Sequence, residues 1–426
     1  VMLADVGTAG ARLASVSVSG ATVSLNDVYT LAQVGASGDQ TFVGALTLNS
    51  TYDSMGGDIT FDGNVTGLST VVADAAGETI TAPDFDLTAA FYDFTGMTPT
   101  MTATTGDIDF NGGNIRLLGP TEITFVAVGG ASTNITLATI IGSGSERVVG
   151  TASGFIQLNG VGSSGGTGLN DLLLTASDIF FSGNVWTDRA EFRPFAADGD
   201  ILLGAGTSGT TLDITDAMLA ALRGNSQVVV GRLDGFGSIL VGGFSLSADL
   251  QIRTPLAGGV ITVTGPVNIT GGSDIWFRGD SLVLDGNVLT EGGDITSDSG
   301  ASVSGPVLLS TQGGDVNIGG SFEGLIDGDG DLEIDYASGD INFTGGSAGY
   351  GLVNRLASLS LTGDQINLNT VRTTGDQTFT GTTLIDNLPV AGVLDSVSGD
   401  ITFDGLVTIE GDSLITTGGG RIAFLD

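Results

Sequence analysis

A short cassette recurs along this chain: Gly-Asp, then Ile or Val, then any residue, then Phe or Ile. It reads Gly57-Asp58-Ile59-Thr60-Phe61, Gly106-Asp107-Ile108-Asp109-Phe110, Gly314-Asp315-Val316-Asn317-Ile318, Gly339-Asp340-Ile341-Asn342-Phe343 and Gly399-Asp400-Ile401-Thr402-Phe403. Gly-Asp is a turn signal, and the alternation after it puts two apolar side chains on one side of a strand. In Asp58–Asp62, Ile59 and Phe61 face one way while Asp58, Thr60 and Asp62 face the other. The cassette-like Asp274, Asp294, Asp315 and Asp340 follow one another at 20, 21 and 25 residues. One turn-and-strand unit at that spacing predicts stacked rungs, an all-β fold of the parallel β-solenoid kind. Residues 1–426 read as a single elongated domain of about 20 rungs. The Gly is expected to supply a positive φ at the corner, and the Asp to cap its own turn.

A longer match joins the two ends of the sequence. Gly38-Asp39-Gln40-Thr41-Phe42-Val43-Gly44 corresponds to Gly375-Asp376-Gln377-Thr378-Phe379-Thr380-Gly381, and each is followed by a further cassette, at Gly57 and Gly399. Internal duplication explains a two-part match of this length.

Composition excludes several alternatives. The 71 glycines have no three-residue period, which removes collagen, and 41% hydrophobic residues are too many for a disordered acidic chain. The 48 acidic residues face 12 basic ones, all Arg, for a net charge of −36. That charge repels phosphate backbones and anionic lipid, arguing against nucleic-acid and membrane-surface partners. No apolar run approaches the ~18 residues of a membrane span. Cys is absent, so no disulfide contributes. His and Lys are absent too, which removes imidazole bases, His-bound metals, Schiff bases and Walker-type phosphate loops. Any catalysis would fall to carboxylates and Arg. The start, Val1-Met2-Leu3-Ala4-Asp5, lacks the basic and apolar regions of a signal peptide, so a processed chain or a segment of a larger one is expected.

Two clusters are candidate sites. Trp186, Asp188, Arg189 and Glu191, with Arg193 and Phe192 beside them, combine aromatic rings with paired charges. That mixture suits a glycan patch, and the competing reading is an ion-paired stretch that only closes over the core. Asp327-Gly328-Asp329-Gly330-Asp331 resembles the opening of a calcium loop, with Asp327, Asp329 and Asp331 as ligands. The sixth position is Leu332 and the twelfth Ser338, where an EF-hand has Gly and Glu, so an acidic corner turn is the competing reading. No other cofactor is called for.

One helix is expected over 215–223, where Met218, Leu219 and Leu222 recur at helical spacing. Asp213 or Thr215 would cap its start, and Gly224-Asn225 would end it. The run Leu212–Leu222, followed by Val228-Val229-Val230-Gly231-Arg232 and Gly237-Ser238-Ile239, is similar to a segment of the bacterial filamentous-haemagglutinin-like large exoproteins. The Gly-Asp-Ile cassettes are similar to that family's repeats. The resemblance implies secretion, a right-handed parallel β-helix, and adhesive or filament roles at the cell surface. The expectation is a non-enzymatic extracellular shaft or filament subunit. Its partners would be further copies or a longer chain through the terminal rungs, together with surface glycans. The alternative is a carbohydrate-binding or carboxylate-dependent polysaccharide-degrading β-helix protein.

Overall fold

The protein is described from a computed structural model. The description covers the chain except residues 1, 4–5, 8–11, 26–27, 32–39, 49–50, 56–58, 63–64, 68–69, 74–75, 83–84, 94–97, 104–105, 118–121, 129–131, 163–167, 205, 207–210, 336–338, 344–349, 369, 386–391 and 426. Gly38-Asp39 and Gly57-Asp58 therefore lie outside the described residues. Nearly all of the regular structure in the remainder is parallel β, and the chain forms a β-solenoid. Among the described residues it comprises about 13 turns. Contacts group the chain into two compact units, 1–196 with 221–226, and 197–220 with 227–426.

In the second unit the rungs can be followed residue by residue. Leu250 pairs with Ile275, Ile275 with Ile295, Ile295 with Val316, and Val316 with Ile341. All five side chains are buried, forming one continuous aliphatic column. Burial of each such side chain contributes roughly 1.5–3 kcal/mol. A second column ends in stacked rings, Phe379 on Phe403 at 5.2 Å and Phe403 on Phe424 at 5.0 Å. Strands are short because the inward alternation must stop at each corner.

The cassette Gly acts differently from expectation. Gly293, Gly314 and Gly339 are not the positive-φ residues; the preceding Gly292 (φ 92°) and Gly313 (φ 127°) are. A Cβ on Gly314 would lie 2.2 Å from the carbonyl oxygen of Gly293, and one on Gly339 would lie 2.0 Å from that of Gly314. Glycine is required there because successive corners stack backbone on backbone.

The Asp also departs from expectation: its carboxylate serves the next rung. Oδ1 of Asp249 accepts from the backbone N–H of Asp274 at 3.0 Å. Asp274 accepts from Asp294 at 2.8 Å, Asp294 from Asp315 at 2.8 Å, and Asp315 from Asp340 at 2.9 Å. The pattern returns in Asp376 to Asp400 and in Asp400 to Arg421. A buried hydroxyl completes the corner. Thr311 Oγ1 donates to the Gly314 carbonyl at 2.5 Å, Thr373 Oγ1 to Gly375 at 2.7 Å, and Thr290 Oγ1 to Gly293.

The duplicated segments share one irregularity. The strand Val16–Leu25 pairs with Gln40–Leu48, slipping by one residue where Gly44 faces Gly20 and Ala21. The strand Leu356–Leu368 pairs with Gln377–Ile385 and slips where Gly381 faces Gly363 and Asp364. Gly44 (φ 115°) and Gly381 (φ 133°) both sit against the facing Gly carbonyl, closer than any Cβ permits. Gln40 and Gln377 are buried at the same point of each.

The helix is shorter than the sequence suggests. It spans Asp216–Ala221, with Thr215 Oγ1 accepting from the Met218 N–H at 3.2 Å. Leu222 and Arg223 are strand, paired with Val185 and Trp186, because sheet hydrogen bonds take over two residues early. Asp213 is not the cap; its carboxylate accepts from the Thr211 hydroxyl at 2.6 Å. No helix among the described residues is long and apolar enough to cross a membrane.

Candidate functional site

The strand Val185–Pro194 carries all four residues of the first candidate cluster. Its inward positions are Val185 and Thr187, then Ala190, Phe192 and Pro194, so the alternation slips between Asp188 and Arg189. That slip divides the cluster. Trp186 and Asp188 share one outward stretch, and Arg189, Glu191 and Arg193 share the next.

Arg189 and Glu191 belong to an ion-pair ladder. Glu122 is in register with Arg147, Arg147 with Asp171, and Asp171 with Arg189, so the charge alternates over four rungs. Arg147 donates from Nη1 to Glu122 at 3.2 Å and from Nε to Asp171 at 2.9 Å. Arg189 donates from Nη1 to Asp171 at 3.0 Å and from Nη2 to Glu191. Arg193 Nε donates to the other oxygen of Glu191 at 2.5 Å. Burial opposes the charge on Arg147 and Arg189, but their carboxylate partners more than offset it, raising both guanidinium pKa values. These groups are occupied with one another.

Trp186 and Asp188 line a cleft of about 150 Å³ with Thr187, Leu169, Arg223 and Gly224. Volumes of roughly 300–1,000 Å³ are needed to bury a small ligand, so this cleft can support a ring lying on it but cannot enclose one.

Asp327, Asp329 and Asp331 occupy a corner and the strand that leaves it, Asp329–Asp335. Gly328 (φ 85°) and Gly330 (φ 78°) make the bend. Asp327 accepts from the Arg355 N–H at 2.8 Å, and Asp331 from the Ser358 hydroxyl at 2.6 Å. No group of three or more acidic side chains among the described residues is placed to hold a metal ion. Asp331 instead lines an open groove of about 400 Å³ with Glu333, Leu308, Pro306, Ser358 and Ser360. Asp331 and Glu333 alternate on one strand, so their Cα atoms lie about 7 Å apart.

One outward aromatic was missed in the sequence. Trp276 lies mid-strand in Ile275–Gly279, 37% exposed. Its Nε1–H donates to Asp298 at 2.6 Å, and the Arg278 guanidinium lies over its ring at 4.5 Å. The alternation Ile275-Trp276-Phe277 between two buried residues was the signal that it points out.

Neither a family model, nor a curated protein, nor a solved structure matches this chain.

Proposed function

We propose that this chain is a non-enzymatic structural and adhesive protein, an extracellular β-solenoid shaft or subunit of a cell-surface filament that assembles end to end. The observation that carries this reading is where the repeated chemistry is spent. The Gly and Asp of the corners, and the charges of the Glu122–Arg189 ladder, act on the adjacent rung, while the corner Thr closes its own turn. Such a chain gains stability by adding rungs, and its acidic exterior opposes sideways clumping. The resemblance of Leu212–Arg232 to filamentous-haemagglutinin-like exoproteins supports the same assignment.

Negative-stain microscopy over a range of protein concentrations, with and without millimolar calcium, tests the assembly. Long uniform filaments are the expected result. Separate particles at every concentration would remove end-to-end assembly. A calcium requirement would bring Asp327, Asp329 and Asp331 back as ligands.

A second reading is favoured by the groove around Asp331 and Glu333, a carboxylate pair on one strand. Paired carboxylates are the machinery of glycoside hydrolysis. Release of reducing sugar that is lost in Asp331→Asn and in Glu333→Gln would establish that reading over the first.

A further inference from the structure

We propose that Trp276 is the stacking platform of a glycan-binding site on the outer face of the sheet containing Asp249–Thr254, Ile275–Gly279 and Ile295–Ser297, and that its ligands are neutral pyranose oligosaccharides. The inference rests on the adhesive reading above and names its ligand.

The indole is held while remaining open. Its N–H is anchored by Asp298 at 2.6 Å, and Arg278 lies over the ring at 4.5 Å. Arg278 is itself fixed, donating from Nε to the second oxygen of Asp298 at 3.0 Å. The three side chains thus form a closed triangle in which each holds the other two. A large apolar ring at the surface usually gains by folding down or moving freely; here two charged groups keep one rotamer. Rigid aromatic anchors of this kind lose little entropy on binding, and Trp and Arg are enriched where binding energy concentrates. Arg278 covers one face of the ring, so the proposed pyranose stacks its flat apolar face on the opposite face of the indole.

The neighbouring rungs supply hydrogen-bonding groups in the same register. Gln251 stands directly before Trp276, and Thr296 and Asn317 stand in the two rungs after it. All three are half-buried, outward positions. A sugar chain lying along the stack meets an amide, an indole, a hydroxyl and an amide in order. The chain's net charge of −36 sets the ligand class, since it disfavours polyanionic glycans.

The chain has two tryptophans, Trp186 and Trp276, so Trp186→Phe leaves Trp276 as the single indole reporter. The probes are cellohexaose, chitohexaose and mannohexaose, titrated against the emission of this variant, with calorimetry on the unmodified chain. Saturable binding of at least one, shifting the Trp276 emission and weakened at least tenfold by Trp276→Ala, is the expected result. Asp298→Ala, which releases the indole, should weaken binding about three- to tenfold while Trp276→Phe retains part of it. Circular dichroism confirms that each variant is folded, and the emission shift needs no change at Trp276 at all. Absence of binding by all three probes overturns the proposal. So does binding that Trp276→Ala leaves unchanged. The proposed assembly runs through the terminal rungs and the triangle lies on a mid-chain strand, so microscopy can fail while glycan binding succeeds, and the reverse.

Discussion

Glu122, Arg147, Asp171 and Arg189 in one unit, and Asp249, Asp274, Asp294, Asp315 and Asp340 in the other, are both columns of charged residues stacked rung on rung. In the first the sign alternates and side chain pairs with side chain. In the second every rung carries the same sign. Stacking brings equivalent positions to about 4.8 Å, where like charges repel. The contrast follows from position within the rung. In mid-strand the backbone N–H groups are already committed to the sheet, so a charged side chain can find relief only in an opposite charge. At a corner the ladder is interrupted, and one N–H per rung is available to each carboxylate. A solenoid can therefore repeat one acidic residue at its corners, whereas on its faces it must alternate.

The most severe way to break the corner column is Gly314→Ala. Its Cβ would meet the Gly293 carbonyl at 2.2 Å, so a loss of about 3 kcal/mol is expected in urea denaturation. Gly258→Ala is the control: φ is 96° but nothing lies within 4 Å, so only the torsional cost of about 1–2 kcal/mol applies. Equal losses would show that close stacking does not limit the corner.

On the paired face, Glu191→Ala removes a buried carboxylate that accepts from two guanidinium groups. A loss of about 2 kcal/mol is expected, moderated because Arg189 and Arg193 can turn to water. Stability unchanged in a thermal melt would reduce the pair to surface decoration.

Glu146 offers a pH test of a third arrangement, a buried carboxylate satisfied within its own loop. Burial pushes its pKa up, but the Ser143 hydroxyl and the N–H groups of Ser143, Ser145 and Gly144 outweigh that and hold it below the ordinary 4.5. Its contribution is fully present above 4.5 and is lost as pH falls through the lower folded value. Glu146→Gln should be less stable than the unmodified chain at neutral pH, with the gap closing in acid. A gap independent of pH would contradict the assignment.

Asp294→Ala should cost about 1 kcal/mol, while Asp294→Asn, which keeps an acceptor oxygen, should be nearly neutral. If both cost the same, the negative charge rather than the hydrogen bond is what the corner needs. The smallest effect is that of salt. Arg147 is 41% exposed, so Arg147→Gln should cost about 0.5–1 kcal/mol in dilute buffer, shrinking toward zero near ~1 M salt.

The corner column was close to legible in the sequence, because Gly-Asp-Ile repeats at nearly even spacing and the alternation after it can be read without a structure. Its meaning was not. A turn reading gave the Asp to its own corner, because neighbours in sequence are visible and neighbours across a rung are not. The Thr at positions 290, 311 and 373 carried a usable signal, a hydroxyl residue two or three places before the Gly. The ion-pair ladder was hidden for a different reason. Steps of 25, 24 and 18 residues separate Glu122, Arg147, Asp171 and Arg189, so corner insertions must be known before these charges align. The sequence grouped Trp186 with Arg189 by proximity, and a single slip in alternation separates them. Trp276 carried no motif, and only its partner Asp298 on a later rung makes it distinctive.

The Asp column also has a direction. In every link the acceptor belongs to the earlier rung and the donor to the later one. As a chain emerges amino end first, each finished rung offers a waiting carboxylate to the strand that has yet to arrive. The protein thereby carries its own template for vectorial growth: every turn acts as the mould for its successor.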